Sequence, residues 1–257
     1  MKSTTEKSKE IQAVLFDVDD TLYDQAQPFA KACEALFGRV YSFSIDALFA
    51  SSRRHSDEVF ELSRSGAISM EEMYIYRIQR AFADFQIPIS DAQALEFQRL
   101  YAQNQDHLQM SDKVREILGM CRERGVVTGV ITNGPSSHQW KKVETLGLTA
   151  WVPTAAVFVS DDVGAAKPDR KIFDHAAKVL GLEPQRICFV GDSFENDVRG
   201  AKMAGWQSVW LNRRKNLVLN ADLKPDYCAE SEEELLEIVD MLTSHTAFSA
   251  FNRMAEE

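Results

Sequence analysis

Apolar and polar positions along this chain follow two rhythms in turn. Val14, Leu15 and Phe16 form a short continuous apolar run, the pattern of a strand buried on both faces of a parallel sheet. From Asp24 to Met110 the period becomes helical. Phe29, Ala32, Cys33, Leu36, Phe37 and Val40 fall on one face, and a second helix is expected over 45–62. A third carries Met70, Tyr74, Ile78, Phe82 and Phe85 on one stripe, and a fourth, opened at Ser90, turns Phe97, Tyr101 and Leu108 inward. Four helices with no strand between them predict a separate helical bundle, inserted directly after the first strand.

From Ser111 onward strands and helices alternate. Strands are expected over 126–131, 155–159, 186–190 and 208–211, with a short sixth over 226–229. Helices follow Ser111, Pro135, Lys167-Pro168 and Asp192, and Ser231 with Glu234 opens a last one through Leu242. This alternation predicts an α/β fold: a Rossmann-like, doubly wound parallel sheet core with an inserted α-helical bundle cap domain. Residues 1–23 and 111–243 are assigned to the core, 24–110 to the cap and 244–257 to a C-terminal tail with little pattern.

Composition narrows the function classes. At 257 residues, 45% apolar and 26% charged, the chain reads as an ordinary globular protein. A net charge of -10 without a concentrated basic face argues against a nucleic-acid polymer as partner, although a local cation still permits a small phosphorylated one. No window is long and apolar enough for a membrane span, and the polar MKSTTEKSKE start is no secretory leader. Cys33, Cys121, Cys188 and Cys228 are widely spaced, which fits a reducing compartment; a cytoplasmic monomer or homodimer is expected.

The unusual polar residues all fall at strand ends, which converge on one edge of such a sheet. Asp17, Asp19 and Asp20 stand together at the exit of a buried strand, where they repel one another and cost desolvation unless a cation or a reaction uses them. Asp17, held by the strand, suits a nucleophile, and Asp19, at the exit, a general acid and then base. Asp17, Asp192 and a backbone carbonyl near Asp19 make an oxygen-rich site suited to Mg²⁺, which also eases the approach of an anionic nucleophile to phosphate. The Thr132 hydroxyl with the Asn133 and Gly134 N–H groups forms a plausible phosphate cradle, and Lys167 adds positive charge. Each motif alone reads as a turn, a cap or a loop lysine; in this order, at strand-helix spacing, they are hard to assign to chance.

The chain resembles the haloacid dehalogenase-like hydrolase superfamily, in the phosphatase branch with a helical cap inserted after the first motif. The motifs that carry the resemblance are Asp17-Val18-Asp19-Asp20-Thr21, Thr132-Asn133-Gly134, Lys167-Pro168, and Gly191-Asp192 through Asp197. The resemblance implies that Asp17 is phosphorylated, that Asp19 protonates the leaving oxygen and later activates water, and that Thr132 and Lys167 hold the phosphate. It implies Mg²⁺ bound by Asp192, with Asp17, Asp19 and Asp197 as further metal-site residues. The true dehalogenases lack an aspartate at the position of Asp19, so phosphate ester chemistry is implied. A nucleoside monophosphate, FMN or a sugar phosphate is the expected substrate group. A phosphotransferase or phosphomutase, and a non-catalytic phospho-ligand binding protein, are the alternatives.

Other signals carry less. His55, His107, His138, His175 and His245 share no zinc-ligand spacing. Arg53, Arg54 and His55 read as a solvated helix face, and the aromatic content of 24–110 as bundle core. No serine-hydrolase, dinucleotide or P-loop motif is present.

Overall fold

A computed structural model describes residues 10–38, 43–218 and 222–244. The expectations for Val40 and for the tail beyond Ser244 fall outside these residues. Two compact units divide the chain, one of residues 24–108 and one of the remainder.

In the larger unit, β1 (Ala13–Phe16), β2 (Val127–Thr132), β3 (Val157–Val159), β4 (Ile187–Gly191), β5 (Gln207–Leu211) and β6 (Tyr227–Ala229) form one six-stranded sheet of order β3-β2-β1-β4-β5-β6. Every pair is parallel. The chain moves outward from β1 through β2 to β3, then returns to the other side of β1 for β4, so the direction of winding switches at β1. That switch opens a crevice at the carboxyl ends of the central strands. β1 is central and fully buried, which explains why its four residues are apolar without alternation. On one face Leu15, Ile131, Ile187 and Phe189 pack with Ile172, Phe173 and Ala176 of one helix and with Trp206, whose ring stands 5.3 Å from that of Phe173.

The helices of the larger unit are short. Among the described residues they are α6 (Asp112–Glu123), α7 (Ser136–Thr145), α8 (Ser160–Val163), α9 (Arg170–Leu180), α10 (Gly200–Met203) and α11 (Glu232–Thr243), with five others in the smaller unit. Ser231 accepts from the Glu234 N–H at the start of α11, as its spacing predicts. The segment after β4 departs from an ordinary helix. Phe194–Arg199 is a wide turn in which the Ser193 carbonyl accepts from Asp197 at 2.9 Å and Val198 at 3.3 Å, and α10 follows.

The smaller unit holds α1 (Ala26–Phe37), α2 (Ile45–Glu58), α3 (Phe60–Arg64), α4 (Met70–Asp84) and α5 (Asp91–Gln105). Phe29, Phe82, Phe97 and Tyr101 form its centre, with edge-to-face rings 4.7 Å apart between Phe29 and Phe97. Ser69 with Glu72, and Ser90 with Gln93, make reciprocal capping boxes at α4 and α5. Two expectations need correction. The second helix breaks at Val59 into α2 and α3. The inward stripe of α4 runs through Met73, Ile78, Ala81 and Phe82, while Met70, in its first turn, is 51% exposed. Three cysteines are buried, Cys228 is exposed, and all four are free. No helix among the described residues is long and apolar enough to cross a membrane.

Candidate active site

The Asp17 N–H donates to the Val190 carbonyl of β4 at 2.9 Å, so Asp17 stays in register with the sheet one residue past the end of β1. Its buried carboxylate accepts from Lys167 Nζ at 2.5 Å. Lys167 Nζ also stands 2.7 Å from Asp197 Oδ1. That contact is an ion pair between two buried groups. The other Asp197 oxygen accepts from the Ser193 N–H at 2.9 Å. One oxygen each of Asp17, Asp192 and Asp197 lie within 4.8 Å of one another.

Burial is the largest cause that lifts the Asp17 carboxyl, to about 7; Lys167 opposes it, and Asp197 and Asp19 add to it. Burial also raises Asp192 well above the ordinary carboxyl range, with Asp197, Asp17 and Asp20 contributing. Burial pulls the Lys167 ammonium down more than any one neighbour raises it, yet Asp17 and Asp197 together leave it above its usual value. Three carboxylates with one ammonium carry excess negative charge. Such an oxygen-only donor set fits a small hard divalent cation such as Mg²⁺.

Two outcomes follow from this packing. A cation must displace the proton that Asp17 holds below about pH 7. Its affinity is therefore expected to rise about tenfold per pH unit and per displaced proton, then level off. By linkage, a carboxyl raised in the fold favours folding at low pH, and that contribution disappears as pH rises through about 7. Melting curves with and without Mg²⁺ should thus show a stabilisation that grows from about pH 5.5 to 7.5. A stabilisation independent of pH would disprove it. Gly191 supplies the second outcome, because a Cβ there would stand 2.3 Å from Asp197 Oδ2. Gly191→Ala should displace Asp197, cost about 1–3 kcal/mol and reduce the Mg²⁺-induced shift in the same melting experiment.

The loop after β2 brings the second motif to the same edge. Asn133 is tied to the third motif reciprocally: its Nδ2 donates to the Lys167 carbonyl and its Oδ1 accepts from the Lys167 N–H, both at 2.9 Å. Thr132, fully buried, donates through Oγ1 to Gln139 Oε1 at 3.0 Å. Gly134 departs from its expected part in the cradle, because its N–H is already given to Ser160 Oγ at 3.0 Å. Its φ of +144° and the 2.7 Å that would separate a Cβ from Gln139 Nε2 explain the glycine instead.

Asp19 lies apart from the three-carboxylate cluster. Both of its oxygens stand 2.6 Å from Lys142 Nζ, and Tyr23 donates its hydroxyl to Oδ1. Lys142 and Gln139 were not expected here. The available signal was their spacing with Val143 and Leu146, which puts two polar residues on the inward face of α7. Asp20, in the left-handed region at φ 59°, is clasped by Arg214 through two bonds of 2.7 and 2.6 Å. Nothing in the local pattern announces that partner, which lies far along the chain.

Residues 11–205 match the family model of haloacid dehalogenase-like hydrolases. The chain belongs to that family. Among its haloacid dehalogenase-like relatives, a glyceraldehyde 3-phosphate phosphatase of Methanopyrus kandleri is 30% identical over 235 residues, 89% of this chain and 97% of that protein. The crystal structure of a haloacid dehalogenase-like phosphatase from Thermococcus onnurineus superposes with a TM-score of 0.55 at 27% identity, over 89% of this chain and 98% of that one. The L-2-haloacid dehalogenase RSc1362 shares the fold, with a TM-score of 0.66 at 23% identity over 90% and 99% of the two chains.

Proposed function

We propose that this phosphatase of the haloacid dehalogenase-like hydrolases releases phosphate from a small sugar phosphate, in a cation-dependent reaction with Asp17 as nucleophile. The observation that carries the reading is the grouping at the β1 edge: Asp17 paired with Lys167, Asp192 and Asp197 beside it, and Asp19 two residues on. Asp17, Asp192 and Asp197 would hold Mg²⁺, together with a backbone carbonyl near Asp19. When bound, the ion supplies the positive charge that lets a carboxylate approach an anionic phosphoryl group.

The chain's own residues supply the remaining steps. An Asp17 oxygen forms a bond to phosphorus as the bond from phosphorus to the ester oxygen breaks, and the Asp19 carboxyl gives that oxygen its proton. Asp19, now a carboxylate, takes a proton from water, whose oxygen attacks phosphorus and frees Asp17 and phosphate. Thr132, Lys167 and the Asn133 N–H are assigned to the phosphoryl oxygens. The sugar phosphate class is favoured over FMN and nucleoside monophosphates by the name of the M. kandleri relative.

The test is phosphate release from sugar phosphates, FMN and nucleoside monophosphates, with Mg²⁺ and with a chelator. Chelator-sensitive release, greatest for a sugar phosphate, supports the reading. Transfer of phosphate to a second hydroxyl would replace it with a phosphotransferase, and cation binding without turnover of any ester would leave a binding protein.

A further inference from the structure

Lys142 occupies a position where a lysine is costly. Its side chain is 7% exposed, and its ammonium stands 2.6 Å from both oxygens of Asp19. A buried ammonium is retained only where a fixed partner replaces its water, and here Asp19 is that partner. Gln139, one turn earlier on the same face of α7, reaches Asp19 Oδ2 through Nε2 at 3.4 Å. Gln139 also accepts from Thr132 and donates to the Asn133 carbonyl at 2.9 Å. The inward face of α7 thus joins the loop after β2 to the carboxylate that follows β1.

We propose that Lys142 is a positioning residue that fixes the direction of the Asp19 carboxylate, with Gln139 as its second support. The inference rests on the reading of Asp19 as the group that protonates the leaving oxygen. Asp19 stands two residues beyond Asp17, past the last bond that ties the loop to β4, so the sheet does not set its orientation. A cation equidistant from both oxygens restricts rotation of the side chain. Lys142 need not touch the reacting atoms to act, since a proton donor turned away from the leaving oxygen loses most of its effect.

The consequence depends on the leaving group. An alkyl phosphate needs a proton on its departing oxygen, whereas p-nitrophenolate departs with little help. The experiment compares Lys142→Met, Lys142→Arg and Asp19→Asn in single-turnover reactions with a sugar phosphate and with p-nitrophenyl phosphate. The expected result for Lys142→Met is a loss on the order of 10²-fold with the sugar phosphate, at least about tenfold more than with the aryl ester. KM should change little, and Lys142→Arg should recover part of the rate. If Lys142→Met fails to fold, Lys142→Gln, which keeps the position polar, carries the same comparison. Equal losses with both esters, or no loss, would overturn the proposal provided Asp19→Asn shows the selective loss. If Asp19→Asn lacks it as well, the reading of Asp19 fails first.

Discussion

Asp17→Asn is expected to remain folded and to lose phosphate release by at least on the order of 10⁴-fold. The amide keeps the shape of the side chain but has no anionic oxygen to bond to phosphorus. Folding should survive because Lys167 keeps Asp197 as a partner at 2.7 Å. The native Asp17 is an expensive charge, raised to about 7 mainly by burial, so removing it should leave the cation-free melting temperature unchanged or higher above that pH. Below about pH 5 the advantage should vanish, because the native carboxyl is then protonated too. Acid quenching of the native protein with a phosphate-labelled substrate should trap a hydroxylamine-labile label on the chain, absent from the variant. Equal release by both proteins would remove Asp17 from the mechanism.

What was legible in the sequence is what local patterns encode. β1 could be read because a central parallel strand admits only apolar residues, so the polar break at Asp17 marks its edge. Asp17 and Asp192 stand out because each breaks off an apolar run at a strand end, whereas Lys167 takes its meaning from the order of the motifs and Asp197 from the family resemblance. Lys142 was missed for the converse reason. A lysine on an amphipathic helix looks ordinary until the facing residue is known, and that residue, Asp19, lies 123 positions away. The Asp20–Arg214 clasp spans 194 positions and is equally silent. The partner of the Gly134 N–H was equally hidden, since Ser160 comes from the segment after another strand. The stripe on α4 was misplaced because Met70 and Met73 offer equally apolar choices and only packing against α2 and α5 separates them.

Lys167→Met is the most severe change expected for stability, and it lowers turnover as well. The native ammonium, with its side chain 3% exposed, stands between Asp17 and Asp197, and their side chains are 9% and 2% exposed. Among the described residues it is the one cation within ion-pair distance of either. Replacing it with an apolar chain of similar length leaves two buried carboxylates facing each other, which costs about 3–5 kcal/mol. In melting experiments that is on the order of 10 °C for a protein of this size. The sign with pH is definite. Without Lys167 the second proton lost from the pair must be removed against the uncompensated charge left by the first, so Asp17 should titrate still higher than about 7. Protonation relieves the repulsion, so the destabilisation should be small near pH 5.5 and largest near pH 8. Excess Mg²⁺ should restore much of the lost stability, since the same carboxylates would hold it and a divalent charge replaces the ammonium. It should not restore turnover, which is expected to stay down by on the order of 10³-fold because the ammonium that steadied Asp17 and the phosphoryl oxygens is gone. A melting temperature lowered equally at every pH, with and without Mg²⁺, would make Lys167 a packing residue. Recovery of full turnover by Mg²⁺ would reduce its part to neutralising charge.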